Sequence, residues 1–380
     1  MYGVFTSGIA NISNNANISG VDNALFLVGN ALATVTGGNL QASKYDGIYT
    51  GGNSALKVEG GTIQGKNSGI YHESTNTIQI NNGTLIGTTQ NGITVVKGGT
   101  GNVEINGGEI SGKCTGIQRV TSGKLSINGG IIKAISEWDG IKVLNEDTGD
   151  ITITDGEIEG INTGLYTQGT GTINISGGNL KSNKYQGLVA GNQGNTKLNI
   201  TGGTITGPEN GIWVEPQGKL KLVVSKGTIT GKGFCGIGTD GASNLEITIT
   251  GGKIEGKNDA IGLLNGGSNI VVNVLSGDLI ANTYDGIGVY ANATVNVGDG
   301  NQSINNNNLN IYGKNFGVYV SADYNTTVNY NNGTLRGQIA SYTGKVNIRS
   351  GYMAKTILTN GIYVTTLKWK IRSTYHNIIR

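Results

Sequence analysis

The sequence predicts an all-β protein built as a single-stranded parallel β-helix, a solenoid in which one coil is repeated along the chain. Three observations predict this fold. The chain contains 67 Gly but only 2 Pro in 380 residues, its aliphatic residues return at a regular interval, and no part of the repeat has a helical period over about 11 residues. We therefore expect about 13 coils of about 22–26 residues, each with three strands and three turns.

The repeat is marked by an aliphatic residue that follows a glycine pair or near-pair. This first column consists of Leu40, Ile63, Leu85, Ile110, Ile132, Ile158, Leu180, Ile205, Ile229, Ile254, Leu279, Leu309 and Leu335. Subtraction of neighbouring residue numbers gives steps of about 22–30 residues, which is the interval of one solenoid coil. One structural unit is therefore stacked on itself along the chain.

Two more aliphatic columns recur in the same order within each unit. The second contains Ile48, Ile70, Ile93, Ile117, Ile141, Leu165, Leu188, Ile212, Ile237, Ile261, Ile287 and Val318. The third includes Val58, Ile80, Ile105, Ile127, Ile153, Ile175, Ile200 and Leu222. Because apolar and polar residues alternate around every column, each stretch is predicted to be a short strand with one buried face.

The order of the three stretches never changes, so we expect the chain to wrap in one direction and each strand to pair in parallel with its counterpart one coil away. Glycine pairs such as Gly107-Gly108 provide the positive φ that a sharp corner requires. Small polar residues precede these pairs, among them Asn81, Asn106 and Asn128. We expect their side chains to form hydrogen-bonded ladders along the coils.

The recurring Gly-Gly-x-Ile-x-Gly, Gly-Ile-x-Val and x-Ile-x-Ile stretches resemble the right-handed parallel β-helix of the pectate-lyase-like superfamily. They are particularly similar to the glycine-rich, adhesin-like repeats of bacterial surface proteins. This resemblance covers nearly the whole chain and implies a long right-handed rod that is extracellular or attached to a cell surface and meets polysaccharide. The superfamily also contains lyases, hydrolases and phage tailspikes, so the resemblance implies a fold more directly than an activity.

The repeat also predicts the domain organisation. We expect an irregular N-terminal segment or degenerate cap at residues 1–30, one parallel β-helix at 31–365 and a basic tail at 366–380. The tail has no recognisable anchor or translocator, which favours a piece of a larger multidomain surface protein. Cys114 and Cys235 fall about five coils apart, or about 24 Å, and are too distant for a disulfide.

Charge and hydropathy exclude two classes of partner. The 27 Lys and Arg are nearly balanced by 24 Asp and Glu, and both signs are interspersed. No basic face for a nucleic acid is visible. No window approaches the roughly 18 apolar residues of a membrane-spanning helix, so membrane insertion is not expected.

Aromatic residues are over-used at the outward position that follows the second column. The candidate ligand-binding residues there are Tyr49, Tyr71, Tyr166, Trp213 and Tyr319. Aromatic rings on a rigid surface are suited to stacking on sugars, so these residues predict a glycan-binding strip. The alternative is structural, because aromatic residues favour strands and shield neighbouring backbone.

Acidic residues are concentrated between Glu137 and Glu159. Glu157 and Glu159 are expected to point outward from one strand, with Glu137 and Asp139 in the adjacent coil. The resemblance implies that enzymes of the superfamily work on the outer face with carboxylates, as a calcium site or as an acid and base pair. These four residues are therefore candidate catalytic residues, although a solvated charged patch also explains them.

His72 and Arg119 occupy inward positions where other coils have Val95 or Val143. A buried polar group needs a partner, so each is expected either at a locally open corner or hydrogen-bonded inside the coil. The second histidine, His376, is distant in sequence. No metal-binding cluster is therefore predicted, and no cofactor is expected apart from the calcium that the resemblance leaves open.

Three functions remain open at this point. The favoured one is a non-enzymatic, adhesin-like surface module that binds or presents to polysaccharides or cell-surface glycans. The first alternative is a polysaccharide lyase or glycoside hydrolase acting on the outer face, and the second is a purely structural spacer. The sequence leans against an enzyme, because the acidic residues fall in different columns.

Overall fold

The computed structural model describes residues 1–299, 308–342 and 344–349, together with the strands Tyr352–Met353, Leu358–Thr359 and Ile362–Val364. The predicted tail at 366–380 lies outside the described residues. The chain divides into two compact units. Unit 1 contains Met1–Val189 and Gln193–Asn199, and unit 2 contains Ala190–Asn192 and Ile200–Arg380.

Each unit is a parallel β-solenoid, and its described residues contain strands and turns but no helix. Three strands in every coil pair in parallel with the corresponding strands of the next coil. The second column, for example, aligns Leu25 with Ile48 and Ile48 with Ile70. This arrangement confirms the predicted all-β, single-stranded parallel β-helix.

We name the three sets of paired strands the first, second and third stacks, after the aliphatic columns that they carry. The strands of the second stack that lie in unit 1 are Val4–Thr6, Leu25–Leu27, Ile48–Thr50, Ile70–His72, Asn91–Val95, Thr115–Arg119, Asp139–Val143, Thr163–Thr167 and all but the last residue of Gln186–Ala190. The third stack consists of Ile9–Ile12, Leu32–Val35, Ala55–Val58, Ile78–Ile80, Val103–Ile105 and Thr172–Ile175. The first stack consists of Asn17–Gly20, Asn39–Ala42, Thr62–Gly65, Thr84–Gly87, Glu109–Gly112 and Asn179–Ser182.

Some strands continue through a corner and so belong to two stacks. Those that join the third stack to the first are Leu125–Ala134, Ile151–Gly160, Asn195–Gly207, Lys219–Gly231, Leu245–Gly256 and Ile270–Ala281. Leu309–Val320 and Thr334–Ser341 join the first stack to the second. The remaining strands of unit 2 are Ile212–Val214, Ile237–Asp240, Ile261–Leu264, Ile287–Val289, Ala293–Val297, Thr327–Tyr330, Lys345–Ile348, Tyr352–Met353, Leu358–Thr359 and Ile362–Val364.

The interior of each coil is filled by the three aliphatic columns. Ile63, Ile70 and Ile80, one from each column, are completely buried. Burial of each such side chain stabilises the fold by about 1.5–3 kcal/mol relative to exposure. Their outward neighbours, such as Tyr71 and Gln79, remain partly exposed, which is the period-two alternation that the sequence shows.

Glycine is required at the corner that precedes the first stack. Gly61 has a φ of 89°, and a Cβ there would lie 2.7 Å from the carbonyl carbon of Gly37 in the neighbouring coil. Both the left-handed backbone and the close approach of two chains exclude a larger residue. The glycine spacing is therefore a direct consequence of stacking.

The N-terminal segment differs from the expectation of an irregular stretch or degenerate cap. Val4–Thr6, Ile9–Ile12 and Asn17–Gly20 are regular strands, and each pairs in parallel with a strand of the following coil. The sequence signal is weak here because the inward residues are few and small, as at Ala10. Parallel pairing with the next coil keeps these strands regular, although their alternation of apolar and polar residues is weak.

Candidate functional site: an aromatic groove in unit 1

The second stack of unit 1 carries an unbroken ladder of aromatic side chains on its outer face. Parallel pairing aligns Phe5 with Phe26, Phe26 with Tyr49 and Tyr49 with Tyr71. Because paired strands lie about 4.8 Å apart, aromatic residues in register are forced to stack. We call Phe5, Phe26, Tyr49 and Tyr71 the aromatic ladder.

The rings of the ladder lie face against face. The centroids of Phe26 and Tyr49 are 4.4 Å apart with an interplanar angle of 8°, and those of Tyr49 and Tyr71 are 5.8 Å apart at 14°. The ladder therefore presents mainly ring edges to solvent, and Tyr71 at its end is partly exposed. Neighbouring rings of the ladder cover part of each other's faces.

An open groove of about 510 Å³ runs beside this ladder. It is lined by Tyr2, Asp22, Asn23, Phe26, Lys44, Tyr45, Asp46, Tyr49, Tyr71 and Glu73. The lining combines aromatic surface with hydrogen-bonding and charged groups. Such a mixture is characteristic of sites for small polar ligands that have an apolar side.

The polar groups of the groove are held by neighbouring coils. The Tyr49 hydroxyl donates to Oε2 of Glu73 at 2.7 Å, and Oδ1 of Asp46 accepts from the Ser68 backbone N–H at 3.0 Å. These contacts fix two carboxylates on the side of the ladder. The groove is therefore preformed rather than assembled by long mobile side chains.

A third carboxylate, Asp22, is neutralised by cations. Lys44 Nζ lies 3.6 Å from its Oδ1, and the Met1 ammonium contacts its Oδ2. Lys44 also lies 4.6 Å from the ring centroid of Tyr45, which is 42% exposed. The Lys44 charge is thus already engaged by Asp22 and by an aromatic face.

Burial and neighbouring charges raise the pKa values of three groups that line the groove. Burial raises the pKa of Asp46 to about 6. Burial, followed by the hydrogen bond to Glu73, raises the pKa of Tyr49. The pKa of Tyr71 is raised by burial and then by the charges of Glu73 and Asp46. Burial is thus the main cause of all three shifts.

Tyr166, another predicted ligand-binding residue, does not belong to the ladder. It aligns with Lys142 of the preceding coil, and Thr94 and Gln118 occupy the outward positions between Tyr71 and Lys142. Lys142 Nζ lies 5.8 Å from the Tyr166 ring centroid and 4.5 Å from that of Trp138. Tyr166 therefore belongs to a separate aromatic and cationic cluster.

Trp213 and Tyr319, the last two predicted residues, lie in unit 2. A Cβ at Gly238 would meet Cζ3 of Trp213 at 2.8 Å, so the indole occupies the space of a missing side chain. Tyr319 packs against Tyr290, with ring centroids 5.3 Å apart, and against Phe316 at 5.5 Å. Of the five predicted residues, the structure brings only Tyr49 and Tyr71 into contact with each other.

The candidate catalytic carboxylates are mostly engaged in ion pairs. Lys181 Nζ bridges Glu157 and Glu159 at 2.5 and 3.2 Å, and Glu137 pairs with Lys113 at 3.4 Å. Asp139 is 4% exposed and is the first residue of the second-stack strand Asp139–Val143.

The pKa values of two of these carboxylates are also shifted in the wrong direction for a general acid. The hydrogen bond from Asn183 lowers the pKa of Glu159, and the bond from the Cys114 thiol lowers that of Glu137. A general acid working near neutral pH requires the opposite shift.

A second pair of carboxylates, not singled out by the sequence analysis, lies in unit 2. Oδ1 of Asp259 accepts from the Asp285 N–H at 3.0 Å, and Oδ1 of Asp285 accepts from the Phe316 N–H at 3.2 Å. Burial raises the pKa of Asp259 to about 6, and burial with the charge of Asp259 raises that of Asp285 to about 7. Each of these two aspartates lies two residues before an isoleucine of the second column, as Asp46 does. This shared spacing is a sequence signal that could have identified the pair.

His72 and Arg119 are hydrogen-bonded inside the coil, which is one of the two arrangements that the sequence predicted for them. Nδ1 of His72 lies 2.8 Å from the Thr50 hydroxyl, and both residues are completely buried. Arg119 forms a buried ion pair with Asp147. Both cysteines are free, as predicted.

Within the described residues, no group of three or more His, Cys, Asp or Glu side chains could hold a metal ion. That part of the chain also contains no helix able to span a membrane. Comparisons with protein-family models, curated proteins and solved structures give no match for this chain.

Proposed function

We propose that this chain is a non-enzymatic, adhesin-like module that binds polysaccharide or cell-surface glycans through the aromatic groove of unit 1. The observation that supports this proposal is the groove itself, in which the aromatic ladder lies beside fixed carboxylates, a lysine and the exposed ring of Tyr45. Sugars have apolar C–H faces and many hydroxyl groups, so they require this combination of surfaces.

The ladder and the turn before it would contact different parts of a sugar. The partly exposed ring of Tyr71 and the exposed ring of Tyr45 offer apolar contact. Asp46 and Glu73 offer acceptors for hydroxyl groups, and Lys44 offers a donor. Because the backbone holds these groups in register, binding would order few side chains and lose little entropy.

The test is retention on immobilised polysaccharides and on a glycan array with single replacements in the groove. Tyr45→Ala and Tyr71→Ala should weaken retention at least tenfold, because each removes apolar contact area. Tyr45 lies outside the ladder, so its replacement should leave the thermal unfolding midpoint nearly unchanged. This variant separates lost binding from lost folding.

Tyr166→Ala and Trp213→Ala are the matched controls, since both remove an outward aromatic ring outside the groove. They should bind like the unmodified chain. Loss of retention in the controls but not in the groove variants would place binding elsewhere. If the unmodified chain binds no glycan, the spacer function is favoured instead.

We also propose that the module is extracellular or displayed on a bacterial cell surface as part of a larger protein, as the resemblance of its repeats to the pectate-lyase-like superfamily implies. The right-handed winding belongs to the same proposal. Labelling of intact cells with an antibody against unit 1 tests the location. Labelling only after cell lysis would contradict it.

A glycoside hydrolase or lyase is the second candidate function, and the pair of Asp259 and Asp285 favours it. The two side chains are one coil apart, or about 4.8 Å, near the roughly 5–5.5 Å separation in retaining glycosidases. Incubation with a polysaccharide panel should then release products that Asp285→Asn abolishes. Loss on Glu157→Gln would instead indicate the carboxylates near Glu157, and no product from any substrate would exclude both.

A further inference from the structure

The charge distribution in the aromatic groove indicates which class of glycan it favours. Glu73 and Asp46 line the groove, and within the described residues no cationic group lies within 4.0 Å of either carboxylate. Glu73 accepts a hydrogen bond from the Tyr49 hydroxyl and Asp46 accepts one from the Ser68 N–H, and both donors are neutral. Two carboxylates therefore face the groove without a counter-ion.

The cations near the groove compensate for these charges only in part. Lys44 Nζ and the Met1 ammonium both contact Asp22, and Lys44 also lies over the Tyr45 ring. These two cations and one carboxylate together carry one net positive charge. Glu73 and Asp46 carry two negative charges when both are ionised, so the groove keeps a net negative charge.

We propose that the groove selects amine-bearing sugars, such as glucosamine oligomers, over neutral sugars and over uronates. An ammonium group placed between Glu73 and Asp46 would supply the missing counter-charge and several hydrogen-bond donors. A uronate carboxylate at the same place would be repelled. This inference rests on the proposed function, because it assigns a ligand class to the same groove.

The structure also argues against uronates independently of the two carboxylates. The groove offers one lysine side chain, Lys44, and it is already paired. A site for an anionic polymer typically presents several free lysine or arginine side chains. An amine, in contrast, needs only the acceptors that are already fixed here.

The experiment is calorimetric titration of the full chain at low salt with hexasaccharides of glucosamine, of N-acetylglucosamine and of galacturonate. The pH is 6.5, above the Asp46 pKa of about 6. Glucosamine should bind about tenfold more tightly than the N-acetylated oligomer, and galacturonate should bind most weakly. The preference should shrink in high salt, since screening weakens exposed charge pairs.

Glu73→Gln removes one charge while its amide oxygen can still accept from the Tyr49 hydroxyl, so the fold is retained. This variant should reduce the preference for glucosamine about fivefold or more and leave the affinity for N-acetylglucosamine nearly unchanged. Glu104→Gln is the matched control, because Glu104 also accepts one side-chain hydrogen bond, from Gln79 at 3.2 Å, but lies outside the groove. It should bind all three oligomers like the unmodified chain.

The outcomes separate this inference from the proposed function. If N-acetylglucosamine or galacturonate binds as tightly as glucosamine in a manner that depends on Tyr71, the glycan-binding function stands and the amine preference is wrong. If Glu104→Gln changes the preference as much as Glu73→Gln, the preference comes from overall charge, and the inference is wrong. If no oligomer or polysaccharide binds, both proposals are wrong.

Discussion

Arg119 and Asp147 form a buried bidentate ion pair inside unit 1. Nε of Arg119 donates to Oδ2 of Asp147 at 2.8 Å and Nη2 donates to Oδ1 at 3.0 Å. The side chains are 2% and 0% exposed. Arg119 also donates to the Gly123 carbonyl at 2.8 Å, and Asp147 accepts from the N–H groups of Thr121 and Gly149. The pair replaces the aliphatic contact of other coils and holds a corner of the solenoid together.

Removal of one partner of this pair should be strongly destabilising. Asp147→Ala leaves a buried guanidinium without its counter-ion, and we expect a loss of about 3–5 kcal/mol in the free energy of unfolding. Arg119→Val introduces the residue that stands at the equivalent positions 95 and 143. Urea denaturation at pH 7 measures the effect of each replacement.

The double replacement provides the decisive comparison. Arg119→Val with Asp147→Ala should be less destabilising than the sum of the two single changes, because neither charge is then left unpaired. If the two effects are simply additive, the pair does not act as a unit and this interpretation fails.

His72 should make stability depend on pH in the acidic range. Burial lowers the pKa of His72 to about 4, whereas an unfolded histidine has a pKa of about 6.5. The unfolded chain therefore binds the additional proton first. The stabilising contribution is complete above about pH 6.5 and is lost as the pH falls through about 4, by about 3 kcal/mol in total.

A variant without the histidine isolates this contribution. His72→Val with Thr50→Val removes both hydrogen-bonding partners and introduces the residue found at position 95. The difference in unfolding free energy between this variant and the unmodified chain should change between pH 7 and pH 4. A difference that is constant over this range would show that His72 is not the titrating group.

Asp259 and Asp285 should have the opposite dependence on pH. Their folded-state pKa values of about 6 and about 7 exceed the ordinary value for aspartate. The protonated carboxyls thus favour folding, and their contribution is complete below about pH 4 and is lost as the pH rises through 6–7.

The replacements Asp259→Asn and Asp285→Asn should therefore stabilise the chain at pH 8 and not at pH 4. An amide oxygen can still accept from the next coil, as Asn210 accepts from the Cys235 N–H at 3.0 Å. We expect a gain of about 1–2 kcal/mol for Asp285→Asn, reduced by solvent screening of the partly hydrated pair. Thermal melts at the two pH values test this, and destabilisation at pH 8 would contradict it.

The parts of the fold that follow from stacking were predictable from the sequence. The inward Ile48, the outward Tyr49 and the ladder of Asn81, Asn106 and Asn128 all appear as expected, and the amide of Asn106 donates to Asn81 at 2.8 Å. Each coil repeats the same local rule, so one unit predicts the next.

The parts that depend on contacts outside the repeat were not predictable. Asp147 lies in a turn with no fixed place in the columns, so its pairing with Arg119 leaves no periodic signal. Phe5 and Phe26 extend the ladder, but they fall in a segment whose pattern is too weak to align.

The contact between Trp213 and Gly238 provides a last test, of a glycine that is required by its neighbour rather than by its backbone. A Cβ at position 238 would lie 2.8 Å from the indole, so Gly238→Ala should displace the ring and cost about 1–3 kcal/mol of unfolding free energy. The same replacement in a Trp213→Ala background should cost much less, because the space is then empty. Chemical denaturation measures the cost of Gly238→Ala in the unmodified chain and in the Trp213→Ala background, and the two costs are then compared. An equal cost in the two backgrounds would show that Gly238 is required for another reason, such as the 3.2 Å that would separate a Cβ at position 238 from Oδ1 of Asn210.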